Sequence, residues 1–324
     1  MKTIGILTSG GDAPGMNAAI RAAVLSAQKA GIRCLGFERG FNGLIDCQYR
    51  QLKGQDVKHI SHLGGTILKS ARSPRFLEEK HQNQAVENVV QLQLDGLIVV
   101  GGDGSFKGAN LISDKVNIPV VGIPGTIDND IPGTDYTIGF HTAVQTATEA
   151  IDKIRDTADA LERIFIVEVM GHKTGYLALE VGITTEAEQI IFPEMQLSSS
   201  QIIDRVTNAV FDFQRQFPHA SYIVVIAEYS CEDKNVTELA EILSENTGVD
   251  CRAVVLGHIQ RGGKAISQDR ILATKLGHYA VSSLITGKSQ VMVGIKSGKL
   301  CLTNLDKANL TAKPLDESLL EFTV

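Results

Sequence analysis

LDGLIVVGGDGS (Leu94–Ser105) and PVVGIPGTIDND (Pro119–Asp130) are the stretches whose reading decides the fold. Each opens with a short run rich in Val and Ile and ends at Gly or Pro, the pattern of a strand buried on both faces of a parallel sheet. Two such strands, each running straight into a turn, deliver both turns to one edge of the sheet. That edge is where open α/β sheets bind ligands.

In GGDGS (Gly101–Ser105) consecutive glycines let backbone N–H groups approach a phosphate closely, and a helix starting near Ser105 adds its positive end. Asp103 stands where a carboxylate can hold a Mg²⁺ ion that bridges phosphate oxygens. A plain strand-to-helix turn with Asp103 as helix N-cap accounts for the same residues, and this cluster alone does not separate the two readings. PGTIDND (Pro124–Asp130) shifts the balance. In an extended segment Asp128 and Asp130 point to the same side, roughly 6.5 Å apart. One carboxylate can then take the proton of an attacking hydroxyl while the other orients it or binds metal. An Asx-rich turn is the ordinary origin of such a cluster, but two clusters after two adjacent strands favour function.

The chain has 324 residues, 43% hydrophobic and 21% charged, enough for a substantial core in two lobes. A net charge of −6 and a pI near 5.8 argue against nucleic acid or an anionic membrane as the main partner. No apolar run approaches the ~20 residues that span a bilayer, and MKTIGILTSGG enters a strand and a Gly-rich turn instead of a signal peptide. A cytoplasmic location is expected. Cys34, Cys47, Cys231, Cys251 and Cys301 are scattered, with no CxxC pair, so they read as small buried apolar residues.

IGILT (Ile4–Thr8) reads as a strand breaking at Ser9–Asp12, and GMNAAIRAAVLSAQKA as a helix ending at Gly31. A strand follows at IRCLGF, then a loop-rich stretch with LGGTILKSAR, and a surface helix from about Glu78 to Leu94. Residues 141–161 show apolar positions three or four apart, a long amphipathic helix. Strands at IFIVEV, YIVVIAE, RAVVL and VMVGI alternate with helices near Ser199–Phe217, Val236–Asn246 and Gln268–Ile285. This alternation predicts parallel sheets with right-handed crossovers.

The chain resembles the bacterial ATP-dependent 6-phosphofructokinases. The resemblance rests on ILTSGGDAPGMNAAIR (Ile6–Arg21), GGT with SAR (Gly64–Arg72), GGDGS, PGTIDND, TDYTIGF (Thr134–Phe140), AIDKIRDTA (Ala150–Ala158), VEVMG (Val167–Gly171) and LGHIQRGG (Leu256–Gly263), in the family's order. It implies two Rossmann-like parallel-sheet lobes. The large ATP-binding lobe would hold residues 1–140 and 257–302, and the smaller sugar-phosphate lobe residues 141–256 and 303–324. It also implies transfer of the γ-phosphoryl group of ATP to the 1-hydroxyl of fructose 6-phosphate, with Mg²⁺. By resemblance, Gly11, Arg72, Ser73, Gly102, Asp103, Gly104 and Ser105 hold MgATP, with Asp103 as the metal ligand. Thr126, Ile127, Asp128 and Asp130 meet the sugar, with Asp128 as the base and Arg72, Thr126 and His172 joining it in catalysis. Arg163, Met170, Gly171, His172, Glu228, Arg252, His258 and Arg261 complete the substrate set. The positions of Arg163 and Arg252 imply a homotetramer with shared active sites. Gly104 and Gly125 stand where pyrophosphate-dependent relatives carry Asp and Lys, which favours ATP.

The sequence departs from the family in two places. Where Arg follows VMG in the family, this chain has His172 and then Lys173. Losing one charge-assisted contact costs about 1.5–3 kcal/mol, roughly ten- to a hundredfold in rate, which attenuates a kinase without abolishing it. The family's effector site, for ADP or phosphoenolpyruvate, keeps Arg21, Arg155 and Glu188. Leu25 and Gly54 replace basic residues, His59 an Asp and Glu186 a Gly, and the Lys-Lys-His run aligns near His219–Ser221. Weak regulation, or a different effector, is expected. Two alternatives are a kinase for a related ketose 6-phosphate, such as tagatose 6-phosphate, and a catalytically weak regulatory paralogue. The intact Arg72, Asp103 and Asp128 argue against the second.

Overall fold

The computed structural model describes residues 1–231, 233–308 and 313–322. The chain begins β1 (Thr3–Thr8), α1 (Met16–Lys29), β2 (Arg33–Phe37), α2 (Phe41–Ile45), β3 (Tyr49–Leu52) and α3 (Glu79–Gln91). It continues β4 (Gly96–Gly101), α4 (Asp103–Val116), β5 (Val120–Thr126), β6 (Ile138–Gly139) and α5 (Phe140–Leu161). Next come β7 (Ile164–Val169), α6 (Tyr176–Thr184), β8 (Gln189–Ile191), α7 (Ser199–Gln216), β9 (Tyr222–Ala227), α8 (Val236–Thr247) and β10 (Cys251–Val255). The last are α9 (Ser267–Ile285), β11 (Val291–Lys296), β12 (Lys299–Asn304), α10 (Leu305–Ala308) and α11 (Glu317–Leu320).

The chain forms two compact units, Met1–Thr142 with Arg261–Lys313, and Ala143–Gln260 with Pro314–Val324. Residues 303–308 pack with the first unit, not with the second as expected. The cause is local: β12 pairs with β11 along its whole length, and Leu305 is fully buried in the first unit's core. Residues 309–312, 323 and 324 of the stretch expected in the smaller lobe lie outside the described residues.

In the first unit the sheet runs β12-β11-β5-β4-β1-β2-β3, with β6 beside β5. β1, β4 and β5 have every residue buried except Thr126 at the end of β5, as strands covered on both faces must. Leu97 pairs with Val120 and Gly101 with Pro124, so β4 and β5 end side by side. Contrary to a wholly parallel reading, β3 and β12 are antiparallel edge strands. The β11–β12 turn is Ser297–Gly298, both with positive φ (49° and 75°), as a two-residue hairpin whose twist matches its strands requires. The core gathers Leu7, Phe37, Leu97, Val99, Phe106 and Met292, with Phe41 stacked on Phe76 at 4.4 Å. α1 packs on α9 at Gly277, where a Cβ would sit 2.5 Å from the Ala19 carbonyl oxygen.

The second unit's sheet runs β10-β7-β9-β8, all parallel. β9, with every residue buried, centres a core of Ile164, Ile166, Ile202, Val206, Val224 and Leu243. The strongest helix starts are here: Ser198 with Gln201 and Asn235 with Glu238 form reciprocal capping boxes at α7 and α8. Burial pushes the Cys34 and Cys251 thiols up to about 12.

Candidate active site

In the first unit the chain leaves β1 toward β2 on one side of the sheet, and β4 toward β5 on the other. The strand order therefore reverses between β1 and β4, the position at which open α/β sheets leave a crevice beyond their carboxyl ends. Three loops follow the adjacent strands β1, β4 and β5: Ser9–Gly15, the Gly101–Asp103 turn and Ile127–Asp130. Ser9 N–H donates to the Val100 carbonyl at 2.9 Å, and Gly10 N–H to the Ala71 carbonyl at 3.2 Å. A Cβ on Gly101 would meet Ser105 Oγ at 2.5 Å and the Ser9 carbonyl oxygen at 2.6 Å. Glycine at 101 thus permits the close approach of the first two loops.

Gly102 is the N-cap of α4 and supplies no side-chain cap, while Asp103 is the first helical residue. The N-cap reading of Asp103 is therefore corrected, and the helix begins two residues before Ser105. Asp103 Oδ2 accepts from Lys107 Nζ at 2.7 Å. Its Oδ1 is buried and, among the described residues, has no hydrogen-bond partner. Above Gly102 and Gly104 nothing lies within 4 Å of where a Cβ would point. An open helix N-terminus with one unpartnered carboxylate oxygen suits a phosphate chain and a hard cation sharing its oxygens. Among the described residues no cluster of three metal-binding side chains exists. The residues present fit Mg²⁺ held by one carboxylate and the phosphates.

Beside this turn a cavity of about 290 Å³ is lined by Gly10, Gly11, Asp12, Thr66, Lys69 and Ser70. Of these only Gly11 was expected. Lys69 and Ser70 lie in the GGTILKSAR stretch, but their place at the β1 loop depends on the tertiary Gly10–Ala71 pairing. Ser70 Oγ adds a second tie, donating to the Gly10 carbonyl at 2.5 Å. Arg261, expected at the sugar, lies on this loop: its Nη1 donates to the Asp12 carbonyl at 3.3 Å and occupies the space a Gly11 side chain would need. Arg72 is exposed. Ser73, expected at ATP, donates from Oγ to Asn42 Oδ1 at 2.6 Å.

At the end of β5, Thr126 Oγ1 donates to Asp128 Oδ2 at 3.1 Å and accepts from Asp128 N–H at 3.2 Å. Asp128 is buried, 8% exposed, and Asp130 is half-buried. The segment is not extended: Asn129 has φ 51°, in the left-handed region. The alternation that would set Asp128 and Asp130 on one side does not apply. Ile127 is fully buried, so only its backbone can serve a ligand.

In the second unit, Met170, Gly171 and His172 follow β7, and Glu228 follows its neighbour β9. Glu228 Oε1 accepts from His172 N–H at 2.8 Å and Gly171 N–H at 3.3 Å. His172 has φ 56°, and its ring meets Tyr229 edge-on at 6.3 Å. Burial first, and then the charge of Glu228, push the Glu168 carboxyl above its ordinary range. Arg163 and Arg252 share Asp250, with Nε at 2.7 and 3.0 Å from its two carboxylate oxygens. His258 is exposed. Arg155 pairs with Glu188 at 2.8 Å and donates to the Thr185 and Glu186 carbonyls, while Glu188 Oε2 accepts from Ile223 N–H at 2.6 Å. Arg21, the third expected effector residue, lies half-buried on α1 of the first unit.

Comparison with known proteins agrees with this geometry. Residues 3–284 match the family described as phosphofructokinase. The chain is 46% identical over 323 residues to ATP-dependent 6-phosphofructokinase 1 of Thermus thermophilus, covering 100% of this chain and 98% of that protein. It is 43% identical over 319 residues to the ATP-dependent 6-phosphofructokinase of Clostridium botulinum, covering 98% and 97%. Among solved structures, the phosphofructokinase of Saccharomyces cerevisiae superposes with a TM-score of 0.89 at 32% identity, over 95% of this chain and 45% of that one. The pyrophosphate-dependent phosphofructokinase of Marinobacter aquaeolei shares the fold, with a TM-score of 0.84 at 23% identity over 98% of this chain and 86% of that one. Three aspartate-bearing loops on adjacent strands, and relatives matched from end to end, lead to one conclusion: the chain belongs to the phosphofructokinase family.

Proposed function

We propose that this protein transfers the γ-phosphoryl group of ATP to the 1-hydroxyl of fructose 6-phosphate, as the names of its bacterial relatives suggest. The observation that carries the reading is the adjacency of the β4 and β5 loops, which sets Asp103 and Asp128 beyond the ends of paired strands. The Gly11 loop and the open N-terminus of α4 receive the phosphates, and Arg72 and Arg261 offset their charge. Mg²⁺, held by Asp103, would neutralise charge on the phosphate oxygens. Asp128, oriented by Thr126, takes the proton from the sugar hydroxyl. That oxygen forms the new bond to the γ-phosphorus as the bond to the bridging oxygen breaks, and ADP leaves with the electron pair.

Ile127 and Asp130 contribute to the sugar contacts through backbone and carboxylate respectively. Met170, Gly171, His172, Glu228, Arg163, Arg252 and His258 are proposed for the sugar phosphate. Open space at Gly104 supports ATP over pyrophosphate as donor. His172, in place of the family's Arg, keeps tagatose 6-phosphate as a second acceptor to test. We propose a cytoplasmic homotetramer. Among the described residues, no helix is long and apolar enough to cross a membrane.

The test measures sugar bisphosphate formation by pure protein, crossing fructose 6-phosphate and tagatose 6-phosphate with ATP and pyrophosphate, so that both donors are read by the same product. Turnover with ATP and fructose 6-phosphate well above the other combinations is expected. A preference for tagatose 6-phosphate or pyrophosphate would overturn the assignment of acceptor or donor.

A further inference from the structure

Asn129, lying between the two aspartates of the β5 loop, is 3% exposed and turned away from solvent, in a backbone conformation that few residues other than Gly, Asn and Asp adopt. Its side chain has two fixed partners. Oδ1 accepts from Thr137 N–H at 3.1 Å, and Nδ2 donates to the Asp135 carbonyl at 3.2 Å. Thr137, fully buried, returns to the same loop: its hydroxyl donates to the Thr126 carbonyl at 2.7 Å. The next two residues, Ile138 and Gly139, pair with Gly125 and Thr126 as β6.

The far end of this clamp is anchored as well. Asp135 N–H donates to the Ile295 carbonyl at 2.7 Å, and Asp135 Oδ2 accepts from Ser297 N–H at 2.6 Å. The β11–β12 hairpin thus holds Asp135, Asp135 and Thr137 hold Asn129, and Thr137 holds Thr126. Thr126 in turn exchanges hydrogen bonds with Asp128.

We propose that Asn129 and Thr137 are positioning residues that set the orientation of Asp128. The proposal rests on the kinase reading with Asp128 as base. Neither residue need touch substrate. Both act by denying the loop any alternative path: a left-handed residue with a loose side chain would let Asp128 drift, and about 1 Å of drift at a reacting group costs up to ~100-fold in rate.

The experiment uses the full-length protein. Asn129→Gly keeps the left-handed backbone and removes both side-chain bonds. It should lower kcat about 10- to 100-fold, with KM for ATP within about threefold of wild type. Thr137→Val, nearly isosteric, removes the hydroxyl and should lower kcat about three- to tenfold, with Thr137→Ser restoring it. In an Asp128→Asn background Asn129→Gly should have little further effect, because its target is already gone. Wild-type kcat in both variants, or full additivity with Asp128→Asn, would overturn the proposal. If Asp128→Asn itself turns over normally, the kinase reading with Asp128 as base fails instead. Should Asn129→Gly not fold, Thr137→Val with its Ser rescue decides alone.

Discussion

On the proposed reading, single substitutions at Asp128 and Gly104 test the base and the choice of donor separately. Asp128→Asn retains the size of the group and its Thr126 contact but cannot take a proton. It is expected to reduce kcat by about two to four orders of magnitude, with KM for ATP little changed, measured by ADP release. Gly104→Asp tests donor choice. The space above Gly104 is empty, so the variant should fold with an unchanged melting temperature while its new carboxylate stands in the nucleotide's place. ATP turnover should collapse, and titration with ATP should show weakened binding. At this scale the motifs told most of the story, because backbone-exposing glycines and flanking carboxylates have few other uses together. Two readings failed for local reasons. Asp103 starts the helix instead of capping it, and the left-handed Asn129 breaks the alternation assumed for Asp128 and Asp130.

Two elements meet too closely to tolerate added atoms. A methyl on Gly277 would press on the Ala19 carbonyl of α1, so Gly277→Ala should cost about 1–3 kcal/mol. With an unfolding entropy of about 2.1 cal/mol/K per residue, each kcal/mol lowers Tm by roughly 1.5 °C in a chain of this length, which differential scanning calorimetry reads. The β7–β9 pair carries a pH signature. The folded-state pKa of Glu168 lies above its unfolded value, so the folded state holds the proton more tightly. The stability linked to this group is present below the ordinary glutamate range and is lost as pH rises through the raised value. Glu168→Gln should match wild type near pH 4 and gain in relative Tm as pH climbs to 7. An unchanged difference across that range would contradict the assigned shift. The long helix α5 was legible from apolar spacing, and α7 and α9 from their place between strand-like runs, whereas β3, β6, β8 and β12 were not legible. Strands of two to six residues, paired at sheet edges or briefly beside a neighbour, have too little pattern to stand out from loops.

For the whole molecule, we propose weak regulation, because several positions expected in an effector site are altered. Arg155 and Glu188, two of the residues expected to hold an effector, are engaged with each other and with backbone groups. An anion would have to displace those bonds, with fewer neighbouring cations to replace them. Millimolar ADP or phosphoenolpyruvate is therefore expected to leave the fructose 6-phosphate saturation curve within about twofold of its position, in a steady-state assay; a large shift would show that this site still binds effector.

What the sequence determined by itself is the set of local commitments: buried strands with the lengths and composition of parallel β-structure, Gly-rich turns after them, and carboxylates in those turns. Those follow from nearest-neighbour physics, since burial period, glycine freedom and charge are all readable within a few residues. Which turns stand together was decided by strand order, and strand order depends on pairings between residues far apart in the chain, such as Val121 with Val291. Arg261 on the Gly11 loop, Lys69 and Ser70 at the same cavity, and the Asn129–Thr137 clamp braced by a hairpin near residue 297 all arise from such pairings. Their energy is long-range packing and hydrogen bonding, and that leaves no local trace in the chain.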